Sequence, residues 1–192
     1  ASSVSLDAIK SRVSIPVVGV IEPGAKAAVM ATKNKKIGVI GTEATIKSNA
    51  YTKAMKAINE EVEVFCLACP LFVPLVEEGW TEGHIASMVA EKYLAGFKNK
   101  DIDTVVLGCT HYPLLKKVIA EVMGSGVRLI DSAIEISQEI TVILEDLGMK
   151  REKKSPSFRE FYVTDSPERF LNVGEKFLGQ QIEHIEKINV GN

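Results

Sequence analysis

Cys109, Thr110 and His111 place a thiol, a hydroxyl and an imidazole side by side in the stretch LGCTHYPLL. They follow a strand-like run at 104–107, and Pro113 suits the first turn of a helix. A thiol at a helix start lies beside backbone N–H groups that stabilise thiolate, which predicts a lowered pKa for Cys109. The neighbouring groups would orient a ligand carboxylate or help to move a proton. The alternative is a buried cysteine that only packs, and the three adjacent groups favour chemistry.

A second candidate site is the stretch GTEAT at 41–45, which follows one apolar run and opens a helical pattern. Hydroxyls and free amide groups at a helix start form an anion site for a carboxylate or a phosphate. A helix cap without a ligand fits the same residues equally well. The sequence contains neither GxGxxG nor GxxxxGK[ST], so no nucleotide is predicted.

An acid and a cysteine pair complete the candidates. Glu77 follows the apolar stretch PLFVPLV, where a carboxylate could hold a histidine or carry protons, or simply end a helix in solvent. Cys66 and Cys69 form a single CxxC without a companion pair, and Cys66 lies inside a strand pattern. A structural zinc site needs about four ligands, so we predict no metal site and no redox pair. No cofactor-binding residue is predicted either.

The elements that must position these residues alternate between short Val- and Ile-rich runs and longer amphipathic segments. This alternation predicts an α/β fold with a doubly wound parallel sheet. Ligands bind at the carboxyl ends of such strands, so the turns at 21–24, 41–45, 69–70, 108–111 and 131–132 should share one rim. The predicted strands are 15–21, 36–40, 62–67, 104–107, 127–130 and 158–163, and the predicted helices are 24–32, 45–58, 84–97, 114–123, 133–147 and 167–178.

Three other segments are less regular. Residues 7–13 fit the end of a helix, residues 149–156 fit a solvated connector, and residues 182–190 fit a late edge strand or an irregular tail.

Composition excludes several classes of protein. The chain has 192 residues, 46% of them hydrophobic, which is enough for one large domain or two small ones. A net charge of −2 without a basic face argues against nucleic acid. The apolar runs are too short to span a membrane, and no signal peptide is predicted. Three cysteines are compatible with a reducing cytosol, so we expect a cytoplasmic protein.

Five stretches in this order resemble bacterial glutamate racemases: GVIEPGAKAA, IGVIGTEATIKSNAY, CPLFVPLVEEG, LGCTHYPLL and FYVTDSPERF. The resemblance covers residues 1 to about 178. It implies two pseudo-symmetric, doubly wound domains that close on glutamate. It also implies a homodimer and an enzyme that uses no cofactor. Two cysteines on opposite faces of Cα invert the stereocentre in that family, and the D-glutamate enters peptidoglycan.

The resemblance also assigns roles. Cys109 corresponds to the family's second catalytic cysteine, with His111 assisting it and Glu77 supporting proton transfer. Thr110 and His111 correspond to substrate contacts, and Thr45 to a hydroxyl near the ligand carboxylate.

Three features of the family have no counterpart in this sequence: an Asp-Ser-Gly turn, a Tyr-Gly turn, and the Cys-Asn-Thr that carries the first catalytic cysteine. We therefore expect a chain that lacks the family's N-terminal segment and does not racemise glutamate alone. Residues 22–130 would form the complete second domain, and residues 1–21 with 131–192 the remnant of the first.

Other functions remain compatible with the residues. One alternative is a sister enzyme, either an aspartate or hydantoin racemase or a decarboxylase that uses one thiol. Another is a binding module without catalysis, which would have no need of Cys109 beside Thr110 and His111.

Overall fold

Four parallel strands form the main sheet: β1 Lys36–Gly41, β2 Glu63–Ala68, β3 Thr104–Leu107 and β4 Arg128–Asp131. Their order in the sheet is β2-β1-β3-β4. The structure is a computed structural model and describes residues 2–151 and 158–191. All four residues of β3 are buried, which is typical of a parallel strand covered on both faces.

Helices connect the strands because parallel neighbours need crossover connections. Two 3₁₀ helices, Ala95–Phe97 and Tyr112–Leu115, add to the α-helices. The α-helices are α1 Ser2–Lys10, α2 Ile21–Ala31, α3 Glu43–Ser48, α4 Ala50–Ile58, α5 Phe72–Glu77, α6 His84–Leu94, α7 Lys116–Met123, α8 Ser132–Asp146 and α9 Pro167–Leu178.

Two apolar cores cover the opposite faces of the sheet, because successive side chains of a strand point to opposite sides. Val105 and Leu107 pack into the core that also holds side chains of α5, α6 and α7. Val106 packs into the other core, with side chains of α2 and α4. The sheet is thus sandwiched between helices, and its carboxyl edge is left to the turns.

The chain forms two compact units, Ala1–Lys150 and Arg151–Asn192. The second unit contains β5 Phe161–Val163 and β6 Ile185–Lys187, which pair in parallel with α9 between them in the chain. Ile182 is buried there, and its N–H donates to Glu175 Oε1 at 3.1 Å. None of the helices in the described ranges is long and apolar enough to cross a membrane.

The α/β prediction is confirmed, and some element boundaries are wrong. No strand forms over residues 15–20, and Ile21 already begins α2. Pro16 has no N–H to donate to a ladder, which disfavours a central strand there. The predicted helix 45–58 is broken at Asn49, whose φ of 56° ends α3 before α4 begins.

Smaller differences lie at the ends of elements. The predicted strand 158–163 is limited to β5, and the segment 182–190 contains β6. The first helix ends at Lys10, earlier than the predicted 7–13. Most of the predicted connector 149–156 lies outside the described residues. The domain division of 22–130 against 1–21 and 131–192 stays a prediction.

Candidate active site

A cavity of about 370 Å³ lies at the carboxyl ends of β1, β3 and β4. The doubly wound fold predicts a ligand site at this edge. Most of the wall is apolar, and a small set of polar groups faces it. These groups come from Thr42, Thr45, Tyr51, Cys109, Thr110, Asp131 and Ser132.

Gly108 brings the turn after β3 against β1. Its N–H donates to the Ile40 carbonyl at 2.8 Å. A Cβ on Gly108 would lie 2.8 Å from that same carbonyl oxygen and 3.1 Å from the Tyr51 ring. A side chain at this position would therefore push the turn away, and Cys109 would move with it.

The Cys109 thiol lines the cavity and is half-buried. Burial raises the pKa of Cys109 above its ordinary value, although the N–H groups of His111 and Tyr112 and the Thr110 hydroxyl work to lower it. The predicted lowering of this pKa is therefore wrong. The helix that follows is a 3₁₀ helix at Tyr112–Leu115, and the α-helix begins only at Lys116. Loss of hydration outweighs the few N–H groups that remain beside the sulfur.

His111 lies between the thiol and an acid. Its Nδ1 is 3.9 Å from Cys109 Sγ, and its Nε2 is 3.6 Å from Glu77 Oε1. Both His111 and Glu77 are about a quarter exposed, at 25% and 28% of the side chain. One imidazole can thus exchange a proton with the thiol while the carboxylate stabilises its charged form.

Thr42 and Thr45 present two hydroxyls to the same cavity from the turn after β1. The Thr45 N–H donates to Thr42 Oγ1 at 3.3 Å, and the two hydroxyl oxygens are 3.1 Å apart. Thr42 thereby caps α3, as the alternative of a helix cap predicted, and the Thr45 amide is used by this cap. The hydroxyls are the groups that this turn offers to a ligand.

Tyr51 and Ser132 were not predicted as site residues. Their hydroxyl oxygens are 3.0 Å apart in the buried wall of the cavity. Burial raises the pKa of Tyr51, the bond to Ser132 lowers it, and a charge on Cys109 raises it. In the sequence, Tyr51 and Met55 share a helical spacing that indicates a buried face, and 131–132 lies on the predicted rim. Neither signal pairs the two hydroxyls.

The CxxC cysteines lie apart from this cavity. Cys66 is exposed on β2, with its sulfur 3.4 Å from Thr52 Oγ1. Cys69 is buried, which raises its pKa to about 12. Among the chain's three thiols, Cys109 is the one that lines the cavity.

Comparison with known proteins shows the family to which the chain belongs. The sequence model of the family described as Asp/Glu/Hydantoin racemase matches residues 2–139. The glutamate racemase of Geobacter metallireducens is 48% identical over 190 residues, which are 99% of this chain and 70% of that protein. The chain belongs to the glutamate racemase family. The glutamate racemase of Enterococcus faecalis is 44% identical over 192 residues, covering 100% of this chain and 70% of its own length.

Solved structures of glutamate racemases share the fold. Isoform RacE1 from Bacillus anthracis has a TM-score of 0.92 at 38% identity, over 98% of this chain and 70% of that one. The enzyme from Francisella tularensis, solved in complex with D-glutamate, has a TM-score of 0.88 at 37% identity, over 98% and 71%. These findings confirm the predicted resemblance to glutamate racemases, and the chain spans about 70% of the relatives' length.

Proposed function

We propose that this chain acts in the cofactor-independent interconversion of L- and D-glutamate, with Cys109 as the acid and base on one face of Cα. The observation that carries the proposal is the Cys109 thiol in the wall of the cavity, 3.9 Å from the His111 imidazole. Membership of the glutamate racemase family supports glutamate as the substrate. The product D-glutamate would supply peptidoglycan synthesis.

Racemisation requires a base strong enough to remove the α-proton of an amino acid. A thiolate with a raised pKa binds that proton more tightly than an ordinary thiolate does. Cys109 is therefore suited to remove the α-proton once deprotonated, and to return one from its neutral form. Inversion needs a second acid on the opposite face, because one group can only return a proton to the face it came from.

His111 and Glu77 help Cys109 to lose and regain its proton. The imidazole takes the thiol proton through Nδ1, and the Glu77 carboxylate stabilises the imidazolium from the Nε2 side. Thr45 and Thr110, which line the cavity, bind the substrate carboxylates. His111, which directly follows Thr110, assists them in this role. The hydroxyls of Thr45 and Thr110 can donate to the two carboxylates of glutamate, and the Asp131 carboxylate, which also lines the cavity, suits its ammonium group.

The test is racemisation of glutamate by the Cys109→Ala variant of the protein as the cell makes it. We expect the rate to fall by about 10²- to 10⁴-fold, the usual range for a lost acid–base group. Exchange of the α-proton in D₂O, followed by NMR from each enantiomer, shows which face is affected. Cys66→Ala is the control and should keep its activity, since Cys66 is exposed on β2 away from the cavity. Racemisation at the full rate without Cys109 would overturn the proposal.

A polypeptide of these 192 residues alone presents one thiol to the cavity. We therefore propose that it does not convert L-glutamate to D-glutamate. Chiral chromatography of the reaction measures this directly, and steady formation of D-glutamate would contradict it.

Three organisational features are also proposed. They are the domain division of 22–130 against 1–21 with 131–192, a homodimer, and a cytoplasmic location. Sedimentation of the protein purified from its own cells tests the dimer, and a monomer at micromolar concentration would exclude it.

A further inference from the structure

The Glu77 carboxylate and the His111 imidazole lie on segments that follow β2 and β3, and these two strands are not neighbours in the sheet. Glu77 ends α5, which follows β2, whereas His111 follows β3. Strand β1 lies between β2 and β3. The sheet therefore links the segments of the Glu77 carboxylate and the His111 imidazole only through β1, where the Cys69 N–H donates to the Gly41 carbonyl at 2.9 Å and the Gly108 N–H to the Ile40 carbonyl at 2.8 Å. A direct contact between the two segments would fix the distance between these groups more closely.

Tyr112 makes such a contact. It directly follows His111 and is fully buried. Its hydroxyl donates to the Cys69 carbonyl at 2.8 Å, in the turn between β2 and α5. Its ring meets Phe72, the first residue of α5, edge to face with 5.2 Å between ring centres. One side chain thus joins the segment that carries His111 to the segment that carries Glu77.

We propose that Tyr112 is a positioning residue that sets the distance between the His111 imidazole and the Glu77 carboxylate. The inference rests on the proposed function, in which those two groups serve Cys109. Tyr112 does not line the cavity, so its effect on catalysis passes through them.

The hydroxyl can be removed without leaving an unsatisfied carbonyl. The Cys69 carbonyl also accepts the Phe72 N–H at 3.1 Å. Phenylalanine at 112 keeps the ring contact and loses only the link between the two turns. Tyr112→Phe therefore tests positioning with little disturbance of the core.

The experiment measures kcat and KM for glutamate in the protein as the cell makes it. Misplacement of a catalytic group by about 1 Å can cost about a hundredfold, so Tyr112→Phe should lower kcat by roughly ten- to a hundredfold. KM should change less than kcat, because the substitution leaves the substrate contact proposed for Thr45, on α3, untouched.

A double-mutant cycle with Glu77→Gln decides whether Tyr112 acts through Glu77. If it does, Tyr112→Phe has little further effect once the Glu77 carboxylate is gone, because coupled residues are not additive. Unchanged kcat in Tyr112→Phe, or a loss that multiplies fully with that of Glu77→Gln, overturns the inference.

Tyr93→Phe is the matched control. The Tyr93 hydroxyl accepts the Leu71 N–H at 3.1 Å, and its ring also packs on Phe72. Tyr93 lies on α6, so this hydrogen bond links α6, and not the segment of His111, to the start of α5. General loosening of α5 would make the two variants equally slow. The inference expects the larger loss in Tyr112→Phe, and equal losses overturn it.

Two further variants keep the outcome clear. Phe72→Leu loosens the same ring contact from the α5 side, so it should show the same coupling to Glu77→Gln if Tyr112→Phe is too unstable to assay.

Cys109→Ala in the same assay separates the two proposals. An active Cys109→Ala removes the proposed function itself, whereas an inactive one beside a fully active Tyr112→Phe removes only the role of Tyr112.

Discussion

At the scale of single residues, the thiol of Cys109 combines burial with a ring of hydrogen-bond donors. Burial dominates and holds the pKa of Cys109 above its ordinary value, so the neutral thiol is favoured at neutral pH. Chemistry would then begin with proton transfer to the His111 imidazole. A resting thiol is also slow to react with oxidants and electrophiles, because the thiolate is the nucleophile.

The raised pKa predicts the pH dependence of Cys109 alkylation. The fraction of thiolate grows as pH rises through the pKa, so the rate should rise with pH and reach half its maximum above the ordinary thiol value. Thr110→Val removes a hydrogen bond that lowers this pKa and should move the midpoint to still higher pH. Mass spectrometry of the Cys109 peptide after timed iodoacetamide treatment measures both. A midpoint below the ordinary thiol value would contradict the effect of burial.

The close packing around Gly108 leads to a prediction about stability. Gly108→Ala places a Cβ 2.8 Å from the Ile40 carbonyl, so we expect unfolding free energy to fall by about 1–3 kcal/mol. Racemisation should fall too, since Cys109 is displaced. Gly126→Ala is the control, because a Cβ there meets nothing within 4 Å and stability should stay within about 0.5 kcal/mol. Urea unfolding of both variants makes the comparison, and equal stability would show that the turn yields freely.

At the scale of elements, Asp103 fastens the loop after α2 to the start of β3. Its Oδ1 accepts the hydroxyls of Thr32 at 2.6 Å and Thr104 at 2.9 Å. Its Oδ2 accepts the N–H groups of Lys33 at 2.6 Å and Asn34 at 2.9 Å. Burial works to raise the pKa of Asp103, but these bonds together lower it.

This lowered pKa sets the sign of a stability prediction. The carboxylate contributes stability above its unfolded pKa of about 3.9, and that stability is lost as pH falls through the lower folded value. Asp103→Asn keeps one accepting oxygen but turns an amide toward two N–H groups. We expect it to cost about 1–2 kcal/mol at pH 7, at the low end for a partly exposed charged acceptor, and progressively less toward pH 3. Urea unfolding across pH measures this, and a cost independent of pH would argue against the charge.

The strands and helices show how much of the fold can be predicted from the sequence. The four strands of the main sheet were predicted within about two residues at each end, because buried parallel strands are nearly continuous apolar runs. The run at 15–21 has the same composition but forms no strand in the described structure, because strand propensity mainly reflects packing against neighbours. The break at Asn49 follows from its tolerance of positive φ, which a helical periodicity does not reveal.

In the candidate site, too, the sequence predicts some residues and not others. Cys109 and Thr110 lie in the turn after β3, and Thr45 lies in the first turn of α3. Local patterns in the sequence identify all three, and they line one cavity. Tyr51 and Ser132 are 81 residues apart and meet only through tertiary packing. The pKa of Cys109 likewise depends on burial, which neighbours in the sequence do not determine.

At the scale of the whole molecule, apolar burial is distributed unevenly. Both large cores belong to residues 1–150. Among the residues described beyond Lys150, Ile182 alone is buried. Local opening costs least where few apolar contacts must break.

Amide hydrogen exchange should therefore be uneven. We expect the amides of β1 and β3 to exchange slowest and those of β5 and β6 to exchange much faster. Exchange followed by mass spectrometry resolves these segments. Equal protection of β3 and β6 would mean that one cooperative unit includes both.

The strand order β2-β1-β3-β4 has a consequence for synthesis on the ribosome. Among these strands β1 is translated first and lies inside the sheet. Next β2 joins one side of it, β3 joins the other, and β4 joins β3. Each new strand is thus added to an open edge, and no finished pair has to separate to admit a later one. The emerging chain can complete the floor of the cavity in the order in which it is translated.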